Sequence, residues 1–138
     1  MAETVTFVAP VRPVGKGRPR ATRTATGVRM LTPRKTALFE AAIRAAAMRA
    51  NASPIDGPIK LSVCAQFAPA KSWPKARKQA AAAQPPHCQA PDADNIGKAV
   101  ADALNGVCYL DDAAIASIRV DKVWALQDSV IVTVESWN

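Results

Sequence analysis

Residues 3–12, ETVTFVAPVR, alternate polar and apolar side chains, the period of a half-buried strand. Residues 58–67 alternate again, with Ile59, Leu61, Val63, Ala65 and Phe67 on one face, and predict a second strand. Between them the period changes. Thr32 can cap a helix and Pro33 suits a first helical position. That helix runs to about Ala50, with Leu38, Ala41, Ala42, Ala45 and Ala46 at helical spacing, until Asn51-Ala-Ser-Pro breaks it. A further helix is predicted from Asp94 to about Leu104. At 100° per residue Ile96, Ala99, Val100, Ala103 and Leu104 share one arc, and Asp94, Lys98, Ala101 and Asp102 the opposite one. Asn105-Gly106 stops it. Val107–Leu110 is strand-like, and residues 114–126 and 129–136 read as two more strands. Gln127-Asp128 would be their tight turn, with antiparallel pairing the natural expectation.

The order β-α-β-α-(β)-β-β predicts an α+β fold, a small mixed β-sheet with helices packed on it. At 138 residues the chain is expected to form a single domain, residues 1–138, with a core that needs no staples. Two segments stand apart. Residues 13–32, PVGKGRPRATRTATGVRMLT, predict a mobile basic loop or hairpin. Residues 69–91 form an Ala/Pro-rich insert, with a short basic helix after Trp73-Pro74 and an extended Pro85-Pro86.

Charge sharpens this division. The first fifty residues hold ten Lys/Arg and two acids, a net of +8, and the other 88 a net of −1. Acids are absent from Thr4 to Phe39. Arg12, Lys16, Arg18, Arg20, Arg23, Arg29 and Arg34 are therefore expected to contact a nucleic-acid backbone rather than merely to solvate a loop. With only seven aromatic residues, rows of stacked single-stranded bases are not expected. Cys64, Cys88 and Cys108 include no CxxC pair, which argues against a disulfide scaffold and a zinc ribbon; Cys64 and Cys108 are read as core. His87, the only histidine, is read as a surface-loop residue. Trp73, beside Lys71, Lys75, Arg77 and Lys78, is a weaker candidate for stacking on an opened base. No signal peptide or membrane span is read, so a cytoplasmic protein is expected.

Against that basic background, PDADNIGKAVADALNGVCYLDD places Asp92, Asp94, Asp111, Asp112 and Lys98 within 21 positions. Magnesium takes oxygen ligands and keeps several waters, so it needs few protein carboxylates, with substrate phosphate completing the shell. If the stretch before the helix is extended, Asp92 and Asp94 share a face, and Asp94 can cap the helix. Lys98 follows one turn later and can hold a scissile phosphate or stabilise charge in the transition state. Asp111 and Asp112 are adjacent, so in an extended chain one ligates and the other caps the next turn. The plain alternative is turn and cap chemistry without a metal.

PDADNIGKAVADALNGVCYLDDAAI, continuing to Lys122, resembles the RusA-type Holliday-junction resolvases of bacteria and their phages. The shared pattern is P-D-x-D-N-x-x-K-x-x-x-D-A-L, a short gap, then D-D and an apolar position. GKGRPR resembles the family's basic entry and ETVTFVAPVRP its first strand. The resemblance implies a RusA-like fold and a homodimeric, magnesium-dependent endonuclease that resolves four-way DNA junctions by paired nicks in a bacterial cell, of host or phage origin. Manganese could replace magnesium. Asp92, Asp94 and Asp112 match the metal-binding carboxylates, Lys98 the essential lysine, and Asp111 an acid of less certain role. Asp102 and Lys122 match recurrent positions. Gly97 departs from the larger residue usual there. Two alternatives remain: a nuclease for flaps or forks, and a non-catalytic DNA-binding module whose acids are structural.

Overall fold

The computed structural model describes residues 3–137, apart from the side chain of Arg20. The alternating segments form strands β1 (Thr4–Ala9), β4 (Ile59–Phe67), β5 (Ile115–Trp124) and β6 (Ser129–Ser136). Between β1 and β4 come a hairpin, β2 (Arg20–Thr24) with β3 (Gly27–Leu31), and the helix α1 (Arg34–Arg49). Between β4 and β5 come the short α2 (Lys75–Ala80), a 3-10 turn at Ala81–Ala83, the helix α3 (Ala93–Ala103) and a second 3-10 turn at Asp112–Ala114. The chain is α+β with a mixed sheet, as its periodicity predicts.

The sheet order is β1-β6-β4-β5. Here the expected C-terminal hairpin is wrong. β5 and β6 are not neighbours: β4 lies between them, parallel to β5 and antiparallel to β6. Ala125–Asp128 therefore crosses the end of β4 instead of making a tight turn. Alternation specifies which face of a strand is buried, not which strand lies beside it. Val107–Leu110 is likewise not a strand. It turns, with an isolated bridge from Asn105 to Tyr109, and its side chains Cys108 and Tyr109 are fully buried.

One face of the sheet carries α1 and α3. Ile59, Leu61, Val63, Ala65 and Phe67 of β4 pack there with Val130, Val132 and Val134 of β6. On α1 the buried stripe is Thr36, Phe39, Ile43, Ala46 and Ala47, whereas Leu38 is 60% exposed. The predicted stripe is thus rotated, because Phe39 and Ile43 bury far more apolar area than the alanines chosen from spacing. Pro33, not Thr32, occupies the cap position, without a side-chain hydrogen bond. On α3 the predicted arc is buried, joined by Ala101 and Gly97. Cys108 is core, and burial pushes its thiol up to about 11. Cys64 instead lies half-buried on the sheet's other face.

A β4-α3-β5 connection between parallel strands must run the helix back against both. Three contacts fix its direction. Lys122, late in β5, donates through Nζ to the carbonyls of Gln89 and Pro91, just before α3 (2.6 and 2.7 Å). The middle of α3 crosses β5 at Gly97, where an added Cβ would lie 2.9 Å from Val120 Cγ2 and 3.1 Å from Ile118 Cδ1. The chain after α3 then returns to the start of β5.

Gly97 is thus a close-approach site. A larger side chain gains helix propensity worth about 1 kcal/mol but must displace β-branched Val120, which is stiff at χ1. Gly97→Leu is expected to lower stability by about 2 kcal/mol through overpacking. Urea unfolding checks this: an unchanged midpoint would mean the helix does not press on β5.

Candidate active site

The charges of the DADN…DD segment separate into those the fold uses internally and those it leaves in solvent. Asp102, on the last turn of α3, ion-pairs with Lys16 (3.0 Å), which also pairs with Glu40 of α1 (2.8 Å). Lys16 is held further by its backbone, whose N–H donates to Asn95 O (2.9 Å). Gly17 N–H donates to Thr36 Oγ1 (3.0 Å), and that hydroxyl donates to Gly15 O (3.3 Å). Residues 15–17 are therefore sewn between α1 and α3, and only residues 18–32 of the basic segment stand clear of the helices. Burial works against the charge on Lys16, but Glu40 and Asp102 outweigh it and raise its pKa. Lys122, through Gln89 and Pro91, holds the loop that ends at Asp92. Both recurrent positions, Asp102 and Lys122, thus position the motif.

The remaining motif charges are free. Asp92 is the N-cap residue of α3 with extended backbone and no side-chain cap bond, and Asp94 sits inside the first turn. The helix therefore starts earlier than predicted, and Asp94 does not cap it. Asp92, Asp94 and Lys98 are exposed, and no ion pair involves them among the described residues. Asp111 caps the 3-10 turn, accepting from Ala113 N–H (3.4 Å). The pair does not diverge as it would in an extended strand. The turn brings the two carboxyls into hydrogen-bonding contact, and Asp111, followed by burial and the charges of Asp111 and Asp102, raises the pKa of Asp112. Beneath them Tyr109 is fully buried and donates to Ala101 O (2.6 Å).

Among the described residues the motif's acids do not form one cluster. Asp92 and Asp94 stand at the start of α3, level with Lys122. Asp111 and Asp112 stand beyond its other end, just before Ile115. The strand between Ile115 and Lys122 covers about 23 Å at roughly 3.3 Å per residue. Ligand oxygens lie about 2.1 Å from a magnesium ion. Accordingly, no group of three His, Cys, Asp or Glu side chains among the described residues is placed to hold one ion. The donor chemistry suits a hard divalent cation, but one chain alone does not fit it. A cleft of about 460 Å³ lies on other elements, lined by Val8, Gln66, Leu126 and Asp128 among others.

The basic residues also divide. Arg12 pairs with Asp128 (2.9 Å), donates to Ala68 O (3.2 Å) and lies 5.4 Å from the Phe67 ring centre. It staples the end of β1 to the β5–β6 connection. With Lys16 it belongs to the frame. Arg18, Arg23, Arg29 and Arg34 are exposed, and no ion pair holds them among the described residues. The hairpin β2–β3 thus presents basic side chains to solvent. Trp73 is flanked by Arg77 (3.6 Å from ring centre to guanidinium) and by Trp124 (4.7 Å between centres), which leaves little open ring for a base.

His87 is not on the surface. It is 4% exposed, stacked on Phe67 at 3.8 Å between ring centres, and its Nδ1 has no hydrogen-bond partner among the described residues. Its N–H donates to Lys122 O and Trp124 N–H to Pro85 O, which bring Pro85–His87 alongside the outer edge of β5. The insert thus packs as part of the fold. Its burial had no signal in the sequence, because its aromatic partners come from β4 and β5.

A family described as endodeoxyribonuclease RusA matches residues 10–135. The chain is also similar to an uncharacterized protein, YqaN, of Bacillus subtilis strain 168, being 28% identical over 134 residues that span 94% of each chain.

Lys16→Met should cost about 2–3 kcal/mol, because it leaves two half-buried carboxylates without their cation, whereas Lys98→Met should stay within about 0.5 kcal/mol. Equal melting of the two variants would refute the division between frame and site. His87 supplies a pH test. Burial, then the charges of Lys122 and Arg12, lower its pKa below the ordinary 6.5. The unfolded chain therefore takes up the proton first, and stability must fall as pH drops below about 6.5. Thermal melts from pH 8 to 5 should show a shallower acid loss in His87→Phe than in the native chain.

Proposed function

The chain belongs to the RusA endodeoxyribonuclease family, and on that premise we propose that it is a Mg²⁺-dependent endonuclease that resolves four-way DNA junctions by paired nicks as a homodimer. Nucleases of this family depend on a divalent metal and act on branched DNA. The observation that carries the reading is the division of the motif's charges: Asp102 and Lys122 are spent on the fold, while Asp92, Asp94, Lys98, Asp111 and Asp112 stay exposed. Exposed carboxylates repel DNA, and all but the turn-capping Asp111 make no contact that supports the fold, so their presence in a chain of net charge +7 fits a cation-dependent reaction on a polyanion.

We assign Asp92, Asp94 and Asp112 as metal-binding carboxylates of the homodimer, since one chain does not bring all three to one ion, with Asp111 holding the turn and available as a further ligand. A bound divalent ion would supply Lewis-acid stabilisation of the phosphate undergoing cleavage. Lys98 lies one helical turn beyond Asp94 on the same exposed side. Its compact ammonium holds the phosphate and offsets the negative charge that develops during cleavage. Arg18, Arg20, Arg23, Arg29 and Arg34 grip the DNA backbone, which positions the substrate without reading sequence. Arg12 and Lys16 are placed in the frame and make no such contact in this reading.

One assay decides between substrates: labelled four-way, three-way, flap and linear duplex DNA, each with and without Mg²⁺. Paired nicks in the four-way junction that require Mg²⁺ are expected. Cleavage confined to flaps or forks would replace the junction reading, and binding without cleavage would leave an accessory module. Asp92→Asn, Asp94→Asn and Asp112→Asn should each abolish nicking while DNA binding persists. Lys98→Ala should slow cleavage more than tenfold with Mg²⁺ affinity unchanged or slightly better, and arginine there should rescue poorly. Replacing Arg18 and Arg23 by alanine should weaken binding to all DNA and flatten its salt dependence by roughly one unit per lost phosphate contact.

A further inference from the structure

The insert carries charge that neither the frame nor the acidic motif uses. Lys71, Lys75, Arg77 and Lys78 fall within eight positions, and no acid lies between Asp56 and Asp92. Lys71, Lys75 and Arg77 are exposed, Lys78 is half-buried, and no ion pair involves them among the described residues. Asp128, which lines the neighbouring cleft with Ala81 and Gln84, is taken by Arg12. α2 buries no residue and has no acid in its first turn. So short a helix does not hold itself in water, and a cation at its start opposes the helix dipole. The segment is instead fixed from outside. Trp73 packs on Trp124 at the end of β5, 4.7 Å between ring centres, and the Arg77 guanidinium lies over the Trp73 ring at 3.6 Å. Stacking uses the flat face of a guanidinium and leaves its N–H edge, the fork that fits a phosphate. Arg77 is thus a cation held in place before any ligand arrives.

We propose that this surface of the insert is a second DNA-backbone site, with Arg77 as its anchor and Lys71, Lys75 and Lys78 around it, and that it holds the duplex on the flank of the acidic motif away from the β2–β3 hairpin. The inference rests on the nuclease reading only for its ligand being DNA; it needs neither the metal nor the reaction. Its ground is placement. Trp124 lies two residues past Lys122, roughly 7 Å along the strand, and Lys122 holds Gln89 and Pro91, next to Asp92. The insert thus approaches the motif along the outer edge of β5. The basic hairpin leaves from the other flank, between α1 and α3. There an added Cβ on Gly15 would lie 3.2 Å from the Cβ of both Pro91 and Asn95, and Lys16 N–H donates to Asn95 O. Asp92 and Asp94 therefore start between two cationic surfaces, each tied to the loop in front of them. One turn of duplex is about 34 Å long, so a duplex with one phosphate at the motif reaches both. Once one surface holds the DNA, the other meets it at high effective concentration. Phosphate contacts carry no base information, so the insert adds affinity and orientation rather than a cutting sequence.

Fluorescence anisotropy of the whole protein tests this, with labelled four-way junction and linear duplex DNA in a chelator so that nothing is cut. Lys75→Gln with Arg77→Gln should weaken binding about tenfold and lower the salt slope by about two units. Arg49→Gln with Lys60→Gln removes the same charge at the far end of the sheet and should change affinity by less than about twofold. Equal losses in the two pairs would reduce the insert to net charge and overturn the proposal, as would native affinity in the first pair. Arg77→Lys keeps the charge but loses the stacking and the fork, so native binding by that variant would overturn the anchoring role of Arg77. A measurement without substitutions guards against a loss of fold. DNA bound to the native protein should protect Lys71 and Lys75 from acetylation, read by mass spectrometry, and leave Lys60 as reactive as before. Unprotected insert lysines would overturn the proposal. Native protein that protects them on DNA but nicks none with Mg²⁺ would uphold this surface and remove only the nuclease reading, and nicking with those lysines unprotected would do the reverse.

Discussion

The parallel pairing of β4 with β5 is the constraint on which the rest depends. Parallel neighbours cannot be joined by a tight turn, so a long crossover with a helix is obligatory. That helix runs against its strands, and together with the segments that lead into and out of it the connection spans most of their length. Every charged residue of the motif inherits its place from this. Asp92 and Asp94 go to one end, Asp111 and Asp112 to the other, and Gly97 marks where the helix is drawn closest to the strand. Packing at Gly97 and the clasp of Lys122 on Gln89 and Pro91 then fix the helix along its own axis.

Charge is used twice in this chain, with different physics. Lys16 sits between Glu40 and Asp102 with 18% of its side chain exposed, where solvent screening is weak and losing one partner leaves an uncompensated charge. It therefore fixes α1 against α3. The Asp111–Asp112 pair is the opposite case. Two exposed acids are held together by a turn, and the pKa of Asp112 is raised by its hydrogen bond with Asp111, then by burial and then by repulsion. Asp111 caps the turn, but the exposed Asp112 beside it makes no ion pair among the described residues. The sequence shows only that both kinds of residue are charged, and burial separates them.

Much of the fold was legible because periodicity reports burial directly. The inward face of β4, the apolar arc of α3 and the two C-terminal strands all follow from spacing. Pairing did not, since residues 114–126 and 129–136 look like a hairpin until β4 is placed between them. The burial of His87 was hidden for a related reason, because Phe67 and Trp124 meet it only in the folded sheet. The candidate site was legible as a set of residues, from a long and specific motif, and the open basic residues from their density. Its geometry was not. Closeness in sequence, 21 positions from Asp92 to Asp112, suggested closeness in space, but a helix and a turn can carry a chain across a domain in that distance.

The insert bears on this geometry as well. Its Pro85–His87 segment runs beside only the last residues of β5, and proline, which offers no N–H, suits a strand that must end a sheet rather than extend it. The edge is closed at Lys122–Trp124 and left open at Ile118–Val120. The same segment lies immediately before the loop that presents Asp92. A composition-biased stretch with little resemblance to the rest of the motif thus acts on the site through packing alone. It caps one part of an edge strand and buries the only histidine against Phe67. In doing so it helps to set where the first carboxylates stand.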